Sequence, residues 1–247
     1  MINLALIRYE IKRLIFTKKY FYMVLLLAIL TIDILMRLII DGFCSTAPFS
    51  KWSYTEFITL FSPILLIILI LLCTSIFSQK EETVKSILYS APISEAKYYM
   101  IKCTAIALVF IITAAVPVII SFLYYAFLFG YTKYQYFILP ILLFMVPCSV
   151  FIFGFSIVLG KISGKLLYAL IPFIFIIGFL NLRSLPVWID LFGNNFLDGY
   201  GFYYILTNKN QITPYIIPNN FICSRLIFTA SGILLFISAC RHKSIQK

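Results

Sequence analysis

Side chains able to do chemistry are scarce in this chain. Its one histidine, His242, stands in a basic run near residue 247. That excludes an H-E-x-x-H metal site and a histidine-based catalytic dyad inside the protein. Glu81 and Glu82 set two carboxylates side by side. Paired glutamates that activate water inside membranes work with a nearby arginine and with histidines on later helices, and neither follows here. The six cysteines, Cys44, Cys73, Cys103, Cys148, Cys223 and Cys240, form no C-x-x-C pair and are dispersed, which argues against thiolate zinc. Most lie in apolar runs, where a thiol behaves as a small hydrophobe. Only Cys44 and Cys223 fall near the expected outer face, where a bridge is open to them if their backbones approach. No G-x-x-x-x-G-K-[ST] loop is present, so ATP hydrolysis by this chain alone is excluded. The chain is expected to be no enzyme and to bind no cofactor of its own.

Ionisable residues inside apolar runs are functional flags in membranes. Asp33 and Arg37 lie four apart, the spacing that lets a pair form along one helix face. They read either as a structural pair, with Arg37 reaching for the outer headgroups, or as part of a polar conduit on a substrate path. No proton-relay chain or arginine-rich voltage sensor accompanies them, which argues against ion-coupled transport.

The elements that must position these residues are membrane helices. Hydrophobic residues make up 62% of the 247 residues and charged ones 12%, with mean hydropathy +1.02. A soluble domain carries about 25% charged residues. About 20 apolar residues cross a bilayer, and six segments qualify: 20–40, 57–77, 101–129, 137–160, 166–182 and 221–240. Pro63, Pro117, Pro147 and Pro172 fall within them and predict kinks rather than breaks. The first long run lacks a small-residue cleavage site and reads as a span, not a signal peptide. The net charge of +11 is spread between apolar runs, which argues against a nucleic-acid face.

Lys and Arg counts set the orientation. With the N-terminus inside, Arg8, Lys12, Arg13, Lys18, Lys19, Lys80, Lys85, Lys97, Lys102, Lys161, Lys165, Arg241, Lys243 and Lys247 are cytoplasmic. Only Lys51, Lys133, Arg183 and Lys209 are outside. Both ends are therefore expected in the cytoplasm, in a single domain over 1–247. Within 1–19, Leu4, Ile7, Ile11, Leu14 and Ile15 recur at helical spacing with Arg8, Lys12 and Arg13 between them. That pattern predicts an amphipathic helix lying in the headgroup plane, stripe down, cations near anionic lipid. The blander reading is a merely topogenic segment.

The longest inner connection is 78–102. Ile87, Leu88 and Ala91 offer a small apolar patch before Pro92, Glu81 and Glu82 flank it, and Ser94 is placed to cap a helix running into the next span. The longest outer segment, 183–220, is rich in aromatics, with Trp188 and Phe192 among them, and is broken by Gly193, Gly199, Gly201, Pro186, Pro214 and Pro218. It reads as short helices re-entering or lying on the outer leaflet, either a cap on an exit route or an anchored loop. No internal repeat is present.

Arg8-Tyr9-Glu10-Ile11-Lys12-Arg13-Leu14, then Thr17-Lys18-Lys19-Tyr20 and a span, resembles the opening of ABC-2 type permeases, the membrane subunits of type-2 ATP-binding-cassette exporters. Their first inner loop typically reads E-x-G-T-x-E-x-L-x-x-x-P-[VI]-S with a lysine further on. This chain offers Glu82, Leu88, Ser90, Pro92, Ile93, Ser94 and Lys102, and departs from the pattern at Thr83, Lys85 and Ser86.

The resemblance implies an all-α permease that pairs with a second permease, itself or a related chain, and with two ATPase subunits holding ATP and Mg. It implies a coupling helix over Glu82 to Pro92, docked in an ATPase cleft, and outward movement of a lipid, glycolipid or peptide antibiotic across the plasma membrane. Small permeases of this size resemble bacteriocin or lantibiotic immunity and export subunits. Two other readings stay open: an ATP-independent carrier or scramblase, and a membrane anchor or sensor for a cytosolic partner.

Overall fold

The computed structural model describes residues 4–40, 50–78, 81, 95–179, 186–198 and 215–241. Among these there is no strand. Helix α1 is Leu4–Ile15. Helix α2, Lys18–Leu35, is capped by the Thr17 hydroxyl, which accepts from the Tyr20 amide at 3.2 Å, and runs on into a π-helical turn, Met36–Ile40. Helix α3, Lys51–Cys73, is capped by Ser50 and closes in a 3-10 turn, Thr74–Phe77. Helix α4 is Glu95–Phe129. A 3-10 turn, Tyr134–Phe137, a single turn, Ile138–Pro140, and a π-helical stretch, Ile141–Met145, lead into α5, Val146–Ile162. Helices α6, Gly164–Phe179, and α7, Asn219–Arg241, complete the bundle.

Among the described residues five helical stretches are long and apolar enough to cross a membrane: Lys18–Leu38, Lys51–Phe77, Ala96–Phe129, Tyr134–Ile162 and Asn219–Arg241. The segment expected over 166–182 is helical as α6. At 16 residues it is about 24 Å long, short of the ~30 Å hydrocarbon core, and residues 180–185 lie outside the described set.

The prolines do what bilayer helices allow. Pro63, Pro117 and Pro172 sit inside unbroken helices. Pro147 follows the π-helical stretch Ile141–Met145 within the continuous helical run Tyr134–Ile162, the kind of local adjustment by which a bilayer helix accommodates proline.

Helix α3 is the axis. Its window is 72% buried, against 39% for α4 and 22% for α2 and α7, and it packs on α2, α4, α5 and α6. Helices α5 and α7 touch most closely. A Cβ on Gly154 would lie 2.1 Å from the Gly232 carbonyl oxygen, and one on Gly232 would lie 2.5 Å from that of Val150. Without a hydrophobic driving force in lipid, such backbone approach is what lets two membrane helices gain dispersion contact.

At one end of the bundle Lys161 Nζ sits 4.3 Å from the Tyr99 ring centroid, which brings the α5–α6 connection to the start of α4. At the other end Tyr54, buried on α3, stacks on Phe137 at 4.2 Å and shares a 3.0 Å hydrogen bond with Ser121.

Helix α1 differs from the lipid-facing stripe its sequence predicts. Ile7 and Ile11 pack on Ile101 and Ala105 of α4, while Leu4, Arg8, Tyr9, Lys12 and Phe16 face outward. The reason is the length of α4. Its 35 residues extend about 52 Å, well beyond the hydrocarbon. The surplus supplies a protein surface on which Ile7 is buried and Ile11 partly buried.

Candidate functional site

Where α1 meets the first part of α4, four charged groups and a tyrosine form a closed cluster. Glu10 and Arg13 stand one turn apart on α1, 3.2 Å apart. Lys102 of α4 places Nζ 2.7 Å from the Glu10 carboxylate and 3.0 Å from that of Glu81. Arg13 pairs with the other Glu81 oxygen. The Tyr98 hydroxyl donates to Glu81 Oε2 at 2.5 Å, and Lys102 lies 5.5 Å from the Tyr98 ring centroid. Glu81 and Lys102 are buried. Two cations balance two carboxylates, so the cluster is neutral while every member is charged. Burial pushes the Glu81 carboxyl up, but the Tyr98 hydrogen bond and the Lys102 and Arg13 charges outweigh it and hold it below its ordinary value.

Each carboxylate of the cluster is paired with cations, and the arrangement joins three parts of the chain. Residue 81 begins the connection to α4, and Tyr98 and Lys102 lie just beyond its end. Both ends of that connection are therefore fixed to one another and to α1. Among the residues expected to couple this chain to a partner, Glu81 is placed here. Glu82, Ile87, Leu88, Ala91 and Pro92 lie outside the described residues.

The opposite end holds a different arrangement. Buried Arg225, on α7, donates Nη1–H to the Leu191 carbonyl and Nη2–H to the Asp190 carbonyl, both at 2.5 Å. Its guanidinium sits 4.2 Å from the Phe221 ring centroid. The buried Asp190 carboxylate accepts from the Gly193 and Phe196 amides at 2.9 and 3.0 Å, which folds the single turn Asn194–Phe196. Gly193 takes φ +84°, and a Cβ there would also meet the Phe144 ring at 2.5 Å, so glycine is required twice over. The Cys148 thiol of α5 donates to the Leu191 carbonyl at 2.7 Å, and Asn194 donates to the Gly178 carbonyl of α6 at 2.8 Å. Residues 190–196 are thus held by three helices at once. Phe192 is 1% exposed, whereas Trp188 is 51% exposed. Of the two aromatics expected on a substrate path, only Trp188 faces outward.

Asp33 and Arg37 do pair, at 3.0 Å, on an outward face of α2. An apolar cleft of about 480 Å³ opens between α3, α4 and α5, lined among others by Ala107, Ile111, Ala114, Met145 and Phe153. Glu10, Arg13, Tyr98 and Arg225 as interior partners were not readable from the sequence. The one available hint was the i,i+3 spacing of Glu10 and Arg13 beside the apolar stripe. Comparison with family models, curated proteins and solved structures finds no match for this chain.

Proposed function

We propose that this chain is the permease subunit of an ATP-driven exporter, with six spans, both termini cytoplasmic, and ATP hydrolysed by separate subunits. The supporting observation is the anchored connection between α3 and α4. A loop pushed by a partner moves a bundle only if its ends are tied to rigid elements. Here Glu81, Tyr98 and Lys102 tie both ends together, and Arg13 ties them to α1. A bare link between two helices needs no such lock. The apolar cleft beside α4 suits the hydrocarbon part of an amphipathic cargo.

The test is co-purification in mild detergent with identification of associated chains, followed by nucleotide hydrolysis. A partner ATPase is expected. Ile87→Ala combined with Leu88→Ala removes the apolar patch and is expected to lower partner retention roughly thirtyfold, since truncating a buried anchor costs ~2 kcal/mol or more. Glu82→Gln should act more weakly and lose its effect in high salt. Wild-type retention and hydrolysis in the double variant would leave the carrier or scramblase reading standing instead.

A further inference from the structure

Helix α1 has two faces with different charge. Ile7 and Ile11 lie against α4, and Glu10 and Arg13 belong to the cluster with Glu81 and Lys102. The face turned away from α4 carries Arg8 and Lys12, and the first turn of α2 adds Lys18 and Lys19. All four are exposed. Glu10 and Glu81 are already paired within the cluster, and among the described residues no carboxylate pairs with any of the four. Large rings stand among these cations. Phe16 is 83% exposed, and Tyr9, Phe21 and Tyr22 are exposed as well.

The corner between the two helices is tied on both sides. The Thr17 hydroxyl accepts from the Tyr20 amide at 3.2 Å and donates to the Leu14 carbonyl at 3.0 Å. Its depth follows from α4. The Tyr20 hydroxyl shares a 3.0 Å hydrogen bond with Thr113. From Thr113 to the end of α4 at Phe129 is about 24 Å, against a hydrocarbon layer of ~30 Å. The start of α2 therefore stands close to the hydrocarbon edge. Ile101 and Ala105, on which α1 packs, lie about 12–18 Å from Thr113 in the other direction, beyond that edge.

We propose that the outward face of α1 and the first turn of α2 bind anionic phospholipid headgroups of the leaflet at which α2 begins. The phosphates meet Arg8, Lys12, Lys18 and Lys19, and the exposed rings lie at the boundary of headgroup and acyl chain. The lipid-binding face is thus the one opposite Ile7 and Ile11: the apolar side docks on protein and the cationic side on lipid. Phe21 and Tyr22 belong to the membrane-length stretch Lys18–Leu38, where lipid can cover them and an acidic soluble protein cannot. Anionic lipid that binds only docked α1 stabilises the docking. This goes beyond the exporter reading and does not depend on it.

The experiment places a fluorescent reporter at the corner. Phe16→Trp is combined with Trp188→Phe, which removes the exposed indole; Trp52 is buried. The full chain is reconstituted in vesicles of one part phosphatidylglycerol to three parts phosphatidylcholine. In one set the phosphatidylglycerol is brominated on its acyl chains, and in the other an equal amount of phosphatidylcholine is. Quenching is expected to report a local excess of phosphatidylglycerol of roughly fivefold or more, the worth of a single cation near an anionic surface. High salt should reduce it. Replacing Arg8, Lys12, Lys18 and Lys19 together by Gln should make the two lipids quench equally.

Equal quenching with the four cations present overturns the proposal, and so does an excess that survives their removal. Quenching by neither lipid means that protein or water covers the corner, and overturns it too. Should the fourfold variant be lost from the membrane, Arg8→Gln with Lys12→Gln keeps the lysines beside the span and provides the second measurement. It is expected to lower the excess at least twofold, and an unchanged excess overturns the proposal. ATPase co-purification is read separately: its failure removes the exporter reading and leaves the lipid preference standing.

Discussion

Glu10, Arg13, Glu81 and Lys102 meet side chain to side chain at one end of the bundle, whereas Arg225 and Asp190 at the other end bind mostly backbone. The first arrangement joins two helices and the start of a connection, each able to move as a body. Its strength depends on four charges remaining present. The second fixes the path of a short segment, and its two charged side chains, Arg225 and Asp190, are met there by backbone carbonyls and amides. A charge cluster can be weakened by one proton or one substitution. A backbone clamp gives way when the side chain that holds the backbone, Arg225 or Asp190, is removed. The contrast suits one end that transmits motion and another that holds a shape.

Lys102→Met should show the largest effect. It leaves the buried Glu81 and the half-buried Glu10 sharing Arg13 as their one cation, with Tyr98 still donating to Glu81. Breaking a buried pair costs ~3–5 kcal/mol. About 3 kcal/mol is expected here, because the Arg13 side chain is 35% exposed and water screens what remains. The expected readouts are a lower thermal midpoint in detergent and faster proteolysis of α1. Adding Glu10→Gln restores charge balance around Arg13 and Glu81, so the double variant should recover much of the loss, which a thermodynamic cycle reads as coupling. Purely additive losses would show that the four groups do not act as a unit.

Arg225→Met should come next, at about 2–3 kcal/mol. It removes two charge-assisted hydrogen bonds but leaves the Cys148 thiol on the Leu191 carbonyl. Hydrogen exchange should rise over residues 190–196 and stay unchanged in α1. Equal change at both ends would erase the distinction between cluster and clamp.

How much of this was readable beforehand differs by residue. The apolar runs were readable because a bilayer demands about 20 of them in a row. The Asp33–Arg37 pair was readable because its spacing is local. The central place of α3 was not. Lys51–Phe77 and Ala96–Phe129 share a hydropathy of 2.8, yet one is 72% buried and the other 39%, since lipid and protein interior favour the same side chains. The charge cluster was hidden by sequence distance, its members coming from α1, residue 81 and α4. The clamp of Arg225 left no mark in the sequence, because its partners are carbonyls, which carry no residue signature. The aromatic richness of 183–220 pointed to lipid contact for Phe192. Asp190 and Gly193 instead turn the chain so that Phe192 faces inward.

Tyr98→Phe should show the smallest effect and the sharpest dependence on pH. It removes one hydrogen bond to a carboxylate that keeps Arg13 and Lys102, so the loss is expected near the lower end of the ~1.5–3 kcal/mol typical of bonds to charged groups. The sign of the pH effect follows from Glu81. Its folded pKa lies below the ordinary 4.5, so its stabilising contribution is complete above that value and disappears as pH falls through the lower, folded one. The Tyr98 hydroxyl is one of the groups holding that value down. Without it the folded pKa rises, and the acid loss of α1 docking begins at a higher pH than in wild type. Residues 190–196 carry no such dependence through Glu81. Following protection of α1 and of 190–196 by hydrogen exchange as pH is lowered should therefore separate the two ends in one experiment. An acid midpoint for α1 that does not move in Tyr98→Phe would show that the hydroxyl contributes nothing to the charge state of Glu81.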